Sequence, residues 1–124
     1  MQEIILIEAA NNLRDLEDKV DEMIALCEAA GGKVVSVVSQ VIREITPATY
    51  IGLGKAKEIY HEAIDTDADL CVFDGELSPS QTLNLTDIIG IPVITRTNLI
   101  LDIFAKRARS AEGKILVELA QLKY

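Results

Sequence analysis

Leu70-Cys71-Val72-Phe73-Asp74-Gly75-Glu76-Leu77-Ser78-Pro79-Ser80-Gln81 is the stretch that decides the fold. Its first four residues are an unbroken apolar run of strand length, the pattern of a strand buried on both faces. Asp74-Gly75 ends the run. Ser78 then supplies a helix cap, Pro79 fits the first helical position, and Gln81 is placed to reach back to the cap. A buried strand passing through a short turn into a capped helix is half of a β-α-β unit. Gly90 is placed to end that helix, and Ile91–Thr95 (91–95) reads as the next strand.

The same alternation extends in both directions. Upstream, Glu3–Ile7 reads as a first buried strand. Asn11 or Asn12 can cap the helix that follows, with Asp15 in its first turn. Leu13, Leu16, Val20, Ile24 and Cys27 recur at helical spacing until Gly31-Gly32, and Val34–Val41 is β-branched and strand-like. Pro47 breaks the path, and Ala48–Gly52 leads into a helix from about Lys55 with a stripe of Ile59, Ala63 and Ile64 beside Tyr60. Downstream, Leu99, Ile100, Ile103 and Phe104 mark a fourth buried helical stripe. The expectation is an α/β domain, a four-stranded, mainly parallel sheet with helices on both faces, spanning 1–109. From about Ala111 the pattern is helical again, with Ile115, Leu119 and Leu122 on one stripe and Leu116 beside it. No capping residue follows, so 110–124 reads as the start of a longer linker helix.

Composition narrows the function classes. The 49% hydrophobic content over 124 residues suffices for a core without metal or disulfides. Aromatics are only 4% and Trp is absent, which argues against a base-stacking platform. Cys27, Cys71 and the single His61 cannot make a structural zinc site of usual spacing, so the cysteines read as buried thiols and His61 as a surface residue. No apolar run is long enough to span a bilayer and Met1-Gln2-Glu3 lacks a signal-peptide basic region, which leads to a cytoplasmic expectation.

The net charge of −8 is unevenly spread. Residues 1–75 carry fifteen acids against six bases, whereas 76–124 carry five against six. Within 96–114, Arg96, Lys106, Arg107, Arg109 and Lys114 face only Asp102 and Glu112. Such a split suits an oriented contact with a polyanion. It equally suits a solvated helix face carrying an Asp102–Lys106 pair.

The sequence carries no recognisable catalytic motif. A phosphate-binding loop needs G-x-x-x-x-G-K-[ST], and the nearest approach is Gly52-Leu53-Gly54-Lys55 followed by Ala56. Gly52 and Gly54 therefore read either as a sharp turn into a helix or, with Lys55, as a contact to an RNA phosphate. Glu8, Asp74 and Thr95 follow strands in the manner of a response-regulator phosphoacceptor pocket. Ala9 stands where a second acid is needed, however, and a fifth strand with its lysine is missing. Asp74 and Glu76 are thus expected to shape a turn and solvate its rim.

Four blocks taken together resemble one family. They are Pro47-Ala48-Thr49-Tyr50-Ile51-Gly52-Leu53-Gly54-Lys55, Glu76-Leu77-Ser78-Pro79-Ser80-Gln81, Arg96-Thr97-Asn98-Leu99-Ile100-Leu101-Asp102-Ile103-Phe104-Ala105, and Glu112-Gly113-Lys114 with Val117-Glu118-Leu119-Ala120-Gln121-Leu122-Lys123-Tyr124. In this order and spacing the chain is similar to the N-terminal domain of HflX-type GTPases. The resemblance implies an α/β domain joined to a helical pair and a GTP-binding domain, with GTP and magnesium held beyond Tyr124 and no catalysis by this chain. It also implies association with the large ribosomal subunit and its RNA, and rescue or splitting of ribosomes under stress. Lys55, Arg96, Lys106, Arg107, Arg109 and Lys114 are then the expected RNA contacts. The rival expectation is a regulatory or dimerisation module, in which Ile115, Leu116, Leu119 and Leu122 dock on the GTP-binding domain without touching RNA. The family usually carries Gly where this chain has Asn98; if that Gly serves a left-handed turn, Asn can still adopt it, and if it serves close approach to RNA, the contact here is in doubt.

Overall fold

Ile4, Ile5, Leu6 and Ile7 are at most 1% exposed, and they divide by parity. Ile5 and Ile7 pack into one apolar cluster, Ile4 and Leu6 into another on the opposite face of the sheet. Alternate side chains of a strand point to opposite faces, so a continuous apolar run needs a covering layer on each side. The computed structural model describes residues 1–105, and both layers are present in it.

The elements run β1 (Gln2–Ala10), α1 (Leu13–Ala29), β2 (Gly32–Val41), α2 (Leu53–Thr66), β3 (Leu70–Asp74), α3 (Pro79–Ile89) and β4 (Val93–Thr95). A fourth helix, α4, occupies 96–105. The sheet order is β2-β1-β3-β4 with every pairing parallel. The chain moves outward from β1 to β2, then returns past β1 to build β3 and β4. Crossovers of one hand place their helices on opposite faces when the direction reverses. Accordingly Met23 and Cys27 of α1 share a cluster with Leu99 and Ile103 of α4, while Ile59 and Ala63 of α2 share the other with Leu85 and Ile89 of α3.

Local chemistry sets the boundaries. Asn12 caps α1, its Oδ1 accepting the Asp15 amide at 2.9 Å, and Gly31 leaves the helix at φ 88°. Ser78 Oγ accepts from Gln81 N at 3.1 Å and Gln81 Oε1 accepts from Ser78 N at 2.9 Å, completing the capping box expected from sequence. Replacing Ser78 by Ala removes one half of that exchange and is expected to cost about 1 kcal/mol in urea denaturation. An unchanged midpoint would mean that the loop supplies another partner.

Several boundaries and faces differ from expectation. β1 runs to Ala10 because β2 is long enough to pair it as far as Val41, with one register shift between Ile4 and Ile5 that leaves Val35 unmatched. β4 begins at Val93, two residues late, since Pro92 has no amide to donate. α2 begins at Leu53 rather than Lys55, with the Ala56 amide bonded to Gly52 O at 3.0 Å. Leu13, Ile64 and Phe104 are exposed rather than part of buried stripes. Leu13 is the first residue of its helix, and the other two lie one residue, about 100°, round from the buried Ala63 and Ile103. Among the described residues no helix is long and apolar enough to cross a membrane.

Candidate functional site

In an open parallel sheet the strand order reverses between β1 and β3, and ligands collect at the carboxyl ends of strands flanking such a reversal. Glu8 and Asp74 are register partners at that point. Glu8 is fully buried and Asp74 is 8% exposed, so the expectation of a solvated rim is wrong for Asp74. Glu8 and Asp74 follow Leu6 and Val72 by two residues and so fall on the face of the sheet that α1 and α4 cover. Both oxygens of Glu8 and Oδ2 of Asp74 are buried acceptors with no donor facing them. Burial, the carboxyl of Asp74 as a hydrogen-bond partner and its negative charge push the Glu8 carboxyl up to about 8, against smaller opposing effects of Lys19 and Arg96.

Arg96, the first residue of α4, lies across this edge. Its guanidinium pairs with Glu22 of α1 and stands 3.7 Å from Asp74 Oδ1. Next to it, Thr95 and Asn98 bond reciprocally. Thr95 Oγ1 accepts the Asn98 amide at 3.2 Å, and Asn98 Oδ1 accepts from Thr95 N at 3.2 Å and from its hydroxyl at 2.8 Å. Asn98 sits in the first turn of α4, and only Tyr50 and Asp67 among the described non-glycine residues have positive φ. The expected left-handed turn at Asn98 is therefore replaced by a helix cap. A glycine there would forfeit both side-chain bonds.

Beside the carboxyl pair lies a cleft of about 500 Å³, lined by Glu76, Leu77, Pro79, Thr82, Leu83, Thr95, Thr97 and Asn98. The starts of α3 and α4 both meet it, and Thr97 donates its hydroxyl hydrogen to Glu76 across it. The Glu76 carboxylate opposes an anion that these helix starts would otherwise favour.

The glycine segment has a structural role. Gly52 caps α2 at an ordinary φ of −63°, and the left-handed residue of the preceding loop is Tyr50 at φ 66°. The sharp turn therefore precedes the glycines. Thr46 and Tyr50 close a small bridge, Gln81 Nε2 and Asn84 Nδ2 hold the carbonyls of Pro47 and Ala48, and the Tyr50 ring meets Phe73 edge-on at 5.1 Å. Lys55 pairs with Glu58 at 2.9 Å, and Ala56 stands where a magnesium-binding hydroxyl would be needed. This segment does not fit a phosphate-and-magnesium site.

Of the six expected RNA contacts, Lys55 and Arg96 are separated on different helices and engaged with acids. Lys106, Arg107, Arg109 and Lys114, the stripe Ile115, Leu116, Leu119 and Leu122, and the 109/110 boundary lie outside the described residues. Sequence reasoning grouped Glu8 with Asp74 and Thr95 at the strand ends, as an incomplete phosphoacceptor pocket, but missed that the two acids are buried register partners. The available signal was an acid ending each of two apolar runs. Burial also raises the thiols, Cys27 to about 11 and Cys71 to about 12, which leaves them unreactive at neutral pH. Among the described residues no group of three or more His, Cys, Asp or Glu side chains is arranged for a metal ion.

Residues 17–105 match the family of GTP-binding GTPase N-terminal domains. The chain belongs to the family of the HflX GTPases. It is 46% identical over its full length to GTPase HflX of Alkalihalophilus pseudofirmus, covering 30% of that relative. It is 43% identical to GTPase HflX of Escherichia coli over 90% of the chain and 26% of the relative. The chain thus spans less than a third of these relatives and corresponds to their N-terminal part. Among solved structures, a GTP-binding protein from the archaeon Sulfolobus solfataricus in complex with GDP superposes with a TM-score of 0.68 at 29% identity, covering all of this chain and 37% of that one.

Proposed function

We propose that this domain is the ribosome-facing and regulatory N-terminal module of an HflX-type GTP-binding protein acting in the cytoplasm on the large ribosomal subunit, in rescue or splitting of ribosomes under stress. Membership of the HflX family carries the reading, and the charge distribution supports it. With Arg96 and Lys55 engaged by acids, the sequence-independent contacts to ribosomal RNA fall on Lys106, Arg107, Arg109 and Lys114. Hydrolysis belongs to the GTP-binding domain of the whole protein, which holds GTP and magnesium.

A second reading is favoured by one observation. Leu101 and Phe104 lie on the outer side of α4, 59% and 60% exposed, three residues apart and just ahead of the apolar stripe at 115–122. Such a surface suits docking on the protein's own GTP-binding domain, or dimerisation, without RNA contact.

Co-sedimentation with purified large ribosomal subunits at two salt concentrations separates the two. The first reading expects binding at low salt that weakens steeply as salt rises. Absence of binding at low salt would overturn direct RNA contact and leave the docking reading.

A further inference from the structure

We propose that Glu8 and Asp74 share a single proton at neutral pH and, with Arg96, form a protonation-controlled clasp that fastens the start of α4 to the sheet. The geometry supplies each part. The two carboxyl groups face one another from paired positions on adjacent strands, in a setting that leaves three of their oxygens without a donor. Two carboxylates can hydrogen-bond only through a proton. A proton on Glu8 satisfies one oxygen of each group and leaves Asp74 as the single anion opposite Arg96.

The surrounding charges agree with this assignment. β3 contributes Asp74, and α1 contributes Lys19, Glu22 and the Cys27 thiol, which stays neutral. α4 contributes Arg96, while β2 places the uncharged Ser39 beside Glu8. With Glu8 protonated, Asp74 and Glu22 balance Arg96 and Lys19. With Glu8 ionised, a second buried anion lacks its counter-charge. The ordinary carboxylate value near 4.5 and the raised value of about 8 bracket the range over which the proton is held only by the folded chain. Full stabilisation is therefore present below about 4.5 and is lost progressively as pH rises to about 8. The clasp acts on α4 because Arg96 is that helix's first residue, bonded to Glu22 as well as facing Asp74. The charge state of a buried strand end thus reaches α4 through Arg96: loss of the Glu8 proton breaks the bond that joins the two carboxyl groups and sets a second anion near the arginine at the helix start.

Carboxyl carbon-13 NMR titration of the whole 124-residue chain tests this directly. Glu8 is expected to titrate near 8, and the amides of Thr97 and Asn98 at the start of α4 to shift with the same midpoint. The Arg96→Gln variant is expected to raise that midpoint further by removing the nearby positive charge. The Glu8→Gln variant keeps a donor toward Asp74 but cannot titrate, so its urea midpoint is expected to lose the decline between pH 5 and pH 9. Titration of Glu8 in the ordinary carboxylate range would overturn the shared proton. Thr97 and Asn98 amides that ignore the Glu8 transition would overturn the clasp. Should Glu8→Gln fail to fold, the titration of the native chain and of Arg96→Gln still decides the matter.

Discussion

Replacing Phe73 by Ala is expected to lower the unfolding free energy by about 3–5 kcal/mol, the largest stability effect of any substitution considered. Phe73 is 1% exposed on β3, between β1 and β4, and contributes to the cluster beneath α2 and α3. Its ring also carries the edge-on contact to Tyr50, so truncation opens a cavity and removes the support of the 46–51 loop together. A β-carbon added at Gly75 would lie 3.0 Å from the Phe73 ring, which shows how closely the chain wraps it. Urea denaturation followed by circular dichroism measures the loss. A cost below about 1 kcal/mol would mean that the loop collapses into the space, contrary to a rigidly packed site.

The second large effect concerns binding. Reversing Lys106, Arg107 and Arg109 to Glu together is expected to weaken association with large ribosomal subunits by about 100-fold or more at moderate salt. It should reduce the salt dependence by about one unit of logarithmic slope per lost phosphate contact. Arg96→Gln serves as the internal comparison, because Arg96 is held by Glu22 and Asp74. Its replacement should leave the slope nearly unchanged. If the triple reversal leaves both affinity and slope intact, RNA contact by this basic segment is refuted.

The fold was largely legible because its signals are local. An apolar run buried on both faces, the Ser78–Gln81 capping box and glycines at Gly31 and Gly90 each act within a few residues, and each appears where the sequence puts it. Faces were less legible where two apolar residues adjoin, as at Ala63-Ile64 and Ile103-Phe104. Periodicity alone does not say which one meets the sheet, and the tertiary contact decides. The site was least legible. Glu8 and Asp74 are 66 residues apart in sequence, and only strand order makes them neighbours. Asp74 was expected in a solvated turn with Glu76, since an unpaired buried carboxylate is costly and a partner that supplies a proton becomes visible only once the strands are paired. Asn98 was likewise judged by its tolerance of unusual backbone, whereas its role is to bond Thr95.

The strand order also has a consequence for how the chain acquires its shape during synthesis. β1 emerges first, yet it is an interior strand, flanked by β2 on one edge and β3 on the other. The first 41 residues contain β1, α1 and β2, which can settle one edge of β1 and cover part of the face carrying Ile4 and Leu6. Its other edge, and the face carrying Ile5 and Ile7, wait for α2 and for Leu70–Asp74. Parallel pairings of wide sequence separation form slowly and leave apolar surface uncovered in the interval. Until β3 has been made, the edge of β1 that ends in Glu8 has no strand to pair with, so the sheet is completed only from the second half of the chain.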